Sequence, residues 1–336
     1  MFSIIIPARL NSKILQNTLQ KILEQSFKDF EILVILDLET ENLLVNPKIK
    51  YFFSGIKSPG EKRNIGISKA NGYYLAFLDD DAYPDNLWLE NAKSILDSNE
   101  EYIGVCGPSI TPNESDFLEK ISGYIYESFL TSGPTRYRHL PSKHRMVEDY
   151  PSVNLIVRSY AVKEIGGFDE KFWPGEDTKF CLDLTVKYGK KIYYSPILKV
   201  FHFRRAIYHP HLLQLCRYAT HRGFFAKRFP QTSLKFSYFI PSLFLIYLIF
   251  LPVFISLFPK ISNLFLTPLI LYLLILFIDV IQVYLKSHSL AAGILTALGI
   301  FFSNISYGIF FIRGLFSKPE LVLREVDIVN EKYIKG

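Results

Sequence analysis

Three long apolar runs near the end of the chain constrain it more than any other feature. Residues 237–258 and 289–312 carry no charged side chain, and residues 264–285 carry one, Asp279. A helix needs about 20 apolar residues to cross the hydrocarbon core of a bilayer, and each run is long enough. A buried core helix is the alternative for any one of them. Three in succession, five and three residues apart, argue for a membrane region. Pro241 and Pro252 leave room for a kinked or re-entrant first segment.

The charge pattern ahead of these runs agrees. Eleven lysines and arginines lie between Lys187 and Lys235, and no acidic residue occurs between Asp183 and Asp279. A basic stretch can bind nucleic acid, but one that abuts apolar spans fits anionic headgroups and the positive-inside bias better. Membrane lipids are therefore the expected partner, and nucleic acid is not. Residues 209–228 mix cations and aromatics at helical spacing, as an interfacial helix does. The N-terminal stretch lacks the basic region of a secretion signal, so the soluble part is expected on the cytoplasmic side. Arg313, Lys318 and Arg324 also favour the cytoplasm, although three crossings would put them opposite. Cys106, Cys181 and Cys216 are isolated and indicate neither a zinc site nor a disulfide framework.

The first hundred residues alternate between strand and helix periodicity. Strands are predicted at residues 2–6, 31–36, 49–53 and 73–78, and helices around residues 14–23, 61–71 and 85–97. Residues 111–150 read as irregular. Beyond them come a strand at 151–157, helices at 159–165 and 176–188, and strands at 191–194 and 200–203. Such alternation predicts an α/β fold with a mainly parallel sheet, whose ligands bind beyond the strand C-termini. Pro7 to Arg9, Asp37, and Asp79 to Asp81 all fall there. Three adjacent carboxylates repel one another unless a cation neutralises them, and hard oxygen donors suit Mg²⁺ or Mn²⁺. Asp81 or Asp85 could equally cap the next helix, and Glu176 and Asp177 could cap theirs.

Several motifs occur in a fixed order: Ile6-Pro7-Ala8-Arg9, then Ile35-Leu36-Asp37, Lys62-Arg63-Asn64-Ile65-Gly66, Ala70-Asn71-Gly72 and Leu78-Asp79-Asp80-Asp81. Gly166-Gly167-Phe168-Asp169-Glu170 and Gly175-Glu176-Asp177 follow. Through about residue 205 this order resembles the family 2 glycosyltransferases of the GT-A fold. With the apolar tail, it looks like their membrane-anchored exopolysaccharide-synthesis subgroup. The resemblance implies a nucleotide-sugar donor lined by Pro7, Ala8 and Arg9. Asp37 would meet the base, Arg63 the base or diphosphate, and Asp79 and Asp80 the donor. Asp81, with Asp79 and His202, would hold the metal. Asp177 would be the catalytic base, with Glu176 beside the acceptor or diphosphate. Gln214, Arg217 and Tyr218 look like a variant of a Gln-x-x-Arg-Trp motif, and would also serve the acceptor or diphosphate; an interfacial helix with a snorkelling arginine is the other reading. The chain departs from the family pattern at Leu36 and Leu38, where aspartate and glycine are usual, and at Asp183, where a basic residue is common.

The expected organisation is a GT-A domain over residues 1–205, a basic interfacial segment over 206–236, three spans within 237–312 and a charged tail over 313–336. The expected activity is inverting transfer of a sugar to a lipid-linked acceptor at a membrane, the bacterial inner membrane by analogy. A processive polysaccharide synthase, a polyprenyl-phosphate sugar synthase and a non-catalytic nucleotide-sugar-binding protein are the competing readings.

Overall fold

A computed structural model describes residues 1–317 of the chain. In chain order, the first elements are β1 (Phe2–Pro7), α1 (Lys13–Leu23), β2 (Phe30–Leu36), β3 (Ile49–Phe53), α2 (Pro59–Lys69), β4 (Tyr74–Phe77), β5 (Ala82–Pro84), α3 (Trp88–Ser98), β6 (Tyr102–Cys106) and β7 (Ser109–Ile110). Next come α4 (Phe117–Glu127), α5 (Phe129–Ser132), β8 (Arg145–Val147), β9 (Leu155–Arg158), α6 (Ser159–Ile165), α7 (Glu176–Tyr188), β10 (Lys191–Tyr194) and β11 (Val200–His202). The helices α8 (His209–Arg228), α9 (Pro230–Ser233), α10 (Phe236–Leu257), α11 (Ser262–Ser287) and α12 (Leu290–Phe316) complete it.

These elements form two units. The first comprises Met1–Pro112 and Tyr137–Phe203. Its main sheet has the order β3-β2-β1-β4-β9-β6-β10-β8. Six of these strands run in one direction, while β9 and β8 oppose their neighbours. The fold is thus α/β with a mostly parallel sheet. A smaller sheet, β5-β11-β7, adjoins this set. Alternation along β1 and β2 feeds two cores. Ile4, Ile6, Ile32 and Val34 face Leu15, Leu19 and Trp88, whereas Ile5, Leu33 and Ile35 face Ile67, Phe77, Phe168 and Phe180. Burial on both faces explains why these strands read as unbroken apolar runs.

Two predicted segments differ. Residues 151–157 are not one strand: Ser152–Asn154 form a 3₁₀ turn, and β9 runs antiparallel to β4 and β6. Asn154 ends the turn. Its amide donates to the carbonyls of Gly107 at 2.6 Å and Leu198 at 2.7 Å, and its Oδ1 accepts from the Trp88 indole at 2.9 Å. Residues 111–150 are not simply irregular either, since α4, α5 and β8 lie within them. The backbone N–H of Asp116 donates to Glu119 at 3.2 Å, one half of a helix-start signature. Ile121 and Ile125 then recur at helical spacing.

The second unit comprises Asn113–Arg136 and, among the described residues, the chain from Arg204 onward. It holds three long apolar helices of 22, 26 and 27 residues, α10, α11 and α12. At 1.5 Å per residue the shortest is about 33 Å long, enough for a hydrocarbon core. α10 continues through Pro241 and Pro252 as one helix. α12 extends beyond the expected span and takes in Arg313, while Lys318, Arg324 and the rest of the expected tail lie outside the described residues. The expected interfacial helix forms as α8, but one face is buried on α12. Gly223 and Gly314 permit that approach: a Cβ on Gly314 would meet the Thr220 carbonyl carbon at 2.9 Å and Gly223 Cα at 3.0 Å. His211 of α8 bonds Ser122 of α4 at 2.7 Å and Ser303 of α12 at 3.1 Å, so the buried imidazole is satisfied on both sides. Asp279 accepts from Ser128 at 2.7 Å, which gives the lone acid of the apolar runs a partner.

Candidate active site

The parallel strands β1, β2 and β4 end side by side, and their C-terminal loops carry the polar residues. Ala8 N donates to Ile35 O at 2.9 Å, and Asp37 N donates to Arg9 O at 3.3 Å. After β4, Ala82 N donates to Asp79 O at 3.2 Å and closes a turn through Asp80 and Asp81. The small sheet then brings in a distant residue. Antiparallel β5–β11 pairing sets His202 opposite Ala82, so His202 Nε2 lies 3.1 Å from Asp81 Oδ1. One donor atom each from Asp79, Asp81 and His202 lies within 4.8 Å of the others, and all three residues are half-buried. Two carboxylates and an imidazole, open to solvent on one side, fit Mg²⁺ or Mn²⁺; the nitrogen donor favours manganese of the two. The Asp80 carbonyl accepts from Thr18 Oγ1 at 3.3 Å.

Helix α2 delivers two cations beneath these loops. Ser58 caps it: Glu61 N donates to Ser58 Oγ at 3.4 Å, and Glu61 Oε2 accepts from Ser58 N at 2.9 Å. Gly66 lets the helix settle on β1, because a Cβ there would stand 2.5 Å from Ile5 Cγ2. Lys62, one helical turn before Gly66, is consequently buried. It donates to Ala8 O at 2.6 Å and pairs with Asp37. Burial pulls its pKa down against the opposing pull of Asp37. Arg63 is only 3% exposed. Its Nη2 donates to Asp79 Oδ1 at 2.7 Å and its Nη1 to Glu176 Oε1 at 3.0 Å. Burial opposes the guanidinium charge, but Asp79, Glu176 and Asp177 outweigh it and raise the pKa.

A glycine-rich loop carries the remaining carboxylates. Gly166 and Gly167 both sit at φ +81°, conformations that a side chain would strain. The Asn64 amide holds the loop by donating to Phe168 O at 2.8 Å and accepting from Phe168 N at 2.8 Å. Phe168 stacks on Phe180 with centroids 4.1 Å apart. Glu176 and Asp177 occupy the first turn of α7. Glu176 is buried, accepts from Gly175 N at 3.0 Å and meets Arg63. Burial and the neighbouring Asp177 push its pKa up to about 7, against the pull of Arg63. Asp177 is half-buried, and its Oδ1 accepts from Thr178 N at 2.9 Å. Of the two adjacent carboxylates, Asp177 is the one a substrate could reach.

Several site residues were not expected from the sequence. Lys62 and Asn64 stand in the Lys62-Arg63-Asn64-Ile65-Gly66 motif, which carried no role for them; they hold the strand ends and the glycine loop. Thr178 Oγ1 donates to Asp149 Oδ1 at 3.1 Å, and Arg138 donates to the Asp149 carbonyl at 2.7 Å. Lys179 donates to Asp183 at 2.6 Å, so a basic residue stands one turn before the unusual acid. Gln214, Arg217 and Tyr218 lie on α8 of the second unit, where Gln214 Nε2 donates to Tyr218 Oη at 3.1 Å.

Residues 3–165 match the family model described as Glycosyl transferase family 2. That match covers just under half of the chain, so residues 3–165 are similar to family 2 glycosyltransferases. Among curated relatives, a pre-mycofactocin glycosyltransferase of Mycobacterium tuberculosis is 30% identical over 154 residues, 44% of this chain and 31% of the relative. A GalNAc(5)-diNAcBac-PP-undecaprenol beta-1,3-glucosyltransferase of Campylobacter jejuni is 28% identical over 188 residues, 52% of this chain and 57% of the relative. The chain thus spans 31% and 57% of the lengths of these two relatives. Among solved structures, Staphylococcus aureus TarS 1–349 in complex with UDP-GlcNAc aligns with a TM-score of 0.44 and 19% identity, over 66% of each chain. The family 2 match ends before Asp177 and His202, so their placement rests on the geometry above.

Proposed function

We propose that this protein is an inverting glycosyltransferase that moves a sugar from a nucleotide-diphosphate sugar to a lipid-linked acceptor at a membrane. The observation that carries this reading is the convergence of Asp79, Asp81 and His202 at the strand ends, with Arg63 bonding both Asp79 and Glu176, the neighbour of Asp177. Asp79, Asp81 and His202 would hold Mg²⁺ or Mn²⁺, which when bound neutralises charge building on a diphosphate leaving group. Pro7, Ala8, Arg9, Asp37 and Asp80 would form the nucleotide side. Asp177 would accept the proton of an attacking hydroxyl. Direct attack by the acceptor with Asp177 as base, and no covalent intermediate, would invert the anomeric carbon.

A membrane acceptor is supported by the three long apolar helices, and by the Campylobacter jejuni relative, whose name describes a polyprenol-diphosphate-linked acceptor. The domain would face the cytoplasm, at the inner membrane if the source is bacterial. Gln214, Arg217 and Tyr218 would meet the acceptor or diphosphate. Incubating membranes that contain the protein with labelled nucleotide sugars and lipid extracts tests the proposal. Label should move into an organic-extractable lipid from one donor. Label that stays in the nucleotide or its hydrolysis product for every donor contradicts it.

A further inference from the structure

Arg63 and Glu176 were expected to touch the donor or acceptor, yet both are buried and bonded to each other. The guanidinium has a second partner, Asp79, so one side chain links the end of β4 to the head of α7. Glu176 is fixed twice, by Arg63 at 3.0 Å and by Gly175 N at 3.0 Å. The link is also packed. A Cβ on Gly60 would stand 3.4 Å from Glu176 Cγ, so the first turn of α2 lies directly against that side chain, and the Arg63 guanidinium sits 5.5 Å from the centre of the Phe168 ring. An arginine fork suits this task because its planar donors can hold two carboxylates at fixed separation, which a lysine point charge cannot do.

We infer that Arg63 and Glu176 are a positioning pair: Arg63 orients Asp79 for the metal, and Glu176 fixes the helix turn from which Asp177 reaches the acceptor. The inference rests on the glycosyltransferase reading and deepens it. Outer partners of a metal carboxylate orient it without touching the ion. A displacement of about 1 Å at a reacting group can cost about a hundredfold in rate. Hence Glu176 acts on turnover and not on donor binding.

The test is a double-mutant cycle on the full-length, detergent-solubilised protein, using the nucleotide sugar that the wild type turns over. Glu176→Ala should lower kcat about a hundredfold, with donor KM within about twofold. Glu176→Gln, which keeps an acceptor for Arg63, should recover part of that loss. Arg63→Lys should lower kcat, and the Arg63→Lys/Glu176→Ala double variant should be no slower than the slower single variant, since both changes break one device. Should Glu176→Ala lack a cooperative melt, Glu176→Gln replaces it in the same cycle. Two outcomes overturn the inference in an active protein. One is a Glu176 variant that raises donor KM about tenfold and keeps kcat, the mark of a binding residue. The other is a pair of losses that multiply. Absence of turnover by the wild type with any nucleotide sugar defeats the glycosyltransferase reading itself, and this inference with it.

Discussion

At the scale of single residues, exposure separates two adjacent carboxylates. Glu176 is buried on Arg63, and Asp177 keeps a reachable face. A positioned base contributes about 10²- to 10⁴-fold, so Asp177→Asn should reduce kcat by that order and leave nucleoside-diphosphate binding nearly unchanged. Normal turnover would point to an acceptor that is already ionised, such as a lipid phosphate. Glu176 also gives a pH signature. Its folded pKa of about 7 lies above the ordinary 4.5, so between these values the folded state holds more proton than the unfolded state. Its contribution to stability therefore falls as pH rises from about 4.5 through about 7. Denaturant titrations across this window should show the wild type losing stability relative to Glu176→Gln as pH increases; parallel profiles would contradict the burial argument. Asp79 and Asp81 were legible because they follow an apolar strand, whereas Asp177 was singled out through the family resemblance. His202 was legible through the family resemblance alone. Its approach to Asp81 depends on β5–β11 pairing, which no local pattern encodes. The same holds for Arg63 and Glu176, 113 residues apart.

At the scale of elements, periodicity identified most strands and helices of the first unit, because burial on both sheet faces leaves long apolar runs. It carried no direction, and β9 runs opposite to the parallel set. It also missed α4, whose start depends on a capping signature rather than on a continuous stripe. The aromatic cluster under the glycine loop is an element-scale device. Phe168 joins the loop to Phe77 of β4 and Phe180 of α7, with centroids 5.1 Å and 4.1 Å away. Phe168→Ala should cost about 3–5 kcal/mol, the usual range for a buried aromatic, and should release Asn64 and the loop together. Chemical denaturation measures the loss. A change below about 1 kcal/mol would mean that the cluster relaxes around the cavity.

At the scale of the whole molecule, the chain pairs a polar-lined α/β unit with a helical unit built around three apolar helices. α8 belongs to the helical unit, and its buried residues include Leu215, Ala219 and Phe225. Ending the chain at residue 236 would strip α12 from that face. The truncated protein should therefore sediment with membranes or aggregate, and the part of its membrane attachment due to the basic stretch should weaken in salt, since screening confines such attraction to about 8 Å. A monodisperse truncated protein in buffer without detergent would contradict the packing of α8 on α12.

The central claim is metal-assisted transfer from a nucleotide sugar to a membrane acceptor, and its most direct measurement is sugar transfer by matched membranes. Membranes carrying the wild type, Asp81→Ala or Asp177→Asn at equal abundance would receive the labelled donor and lipid acceptor. The wild type should label the lipid, EDTA and Asp81→Ala should abolish the label, and Asp177→Asn should slow it while retaining donor binding. Equal labelling by all three, or full activity in EDTA, would contradict the account.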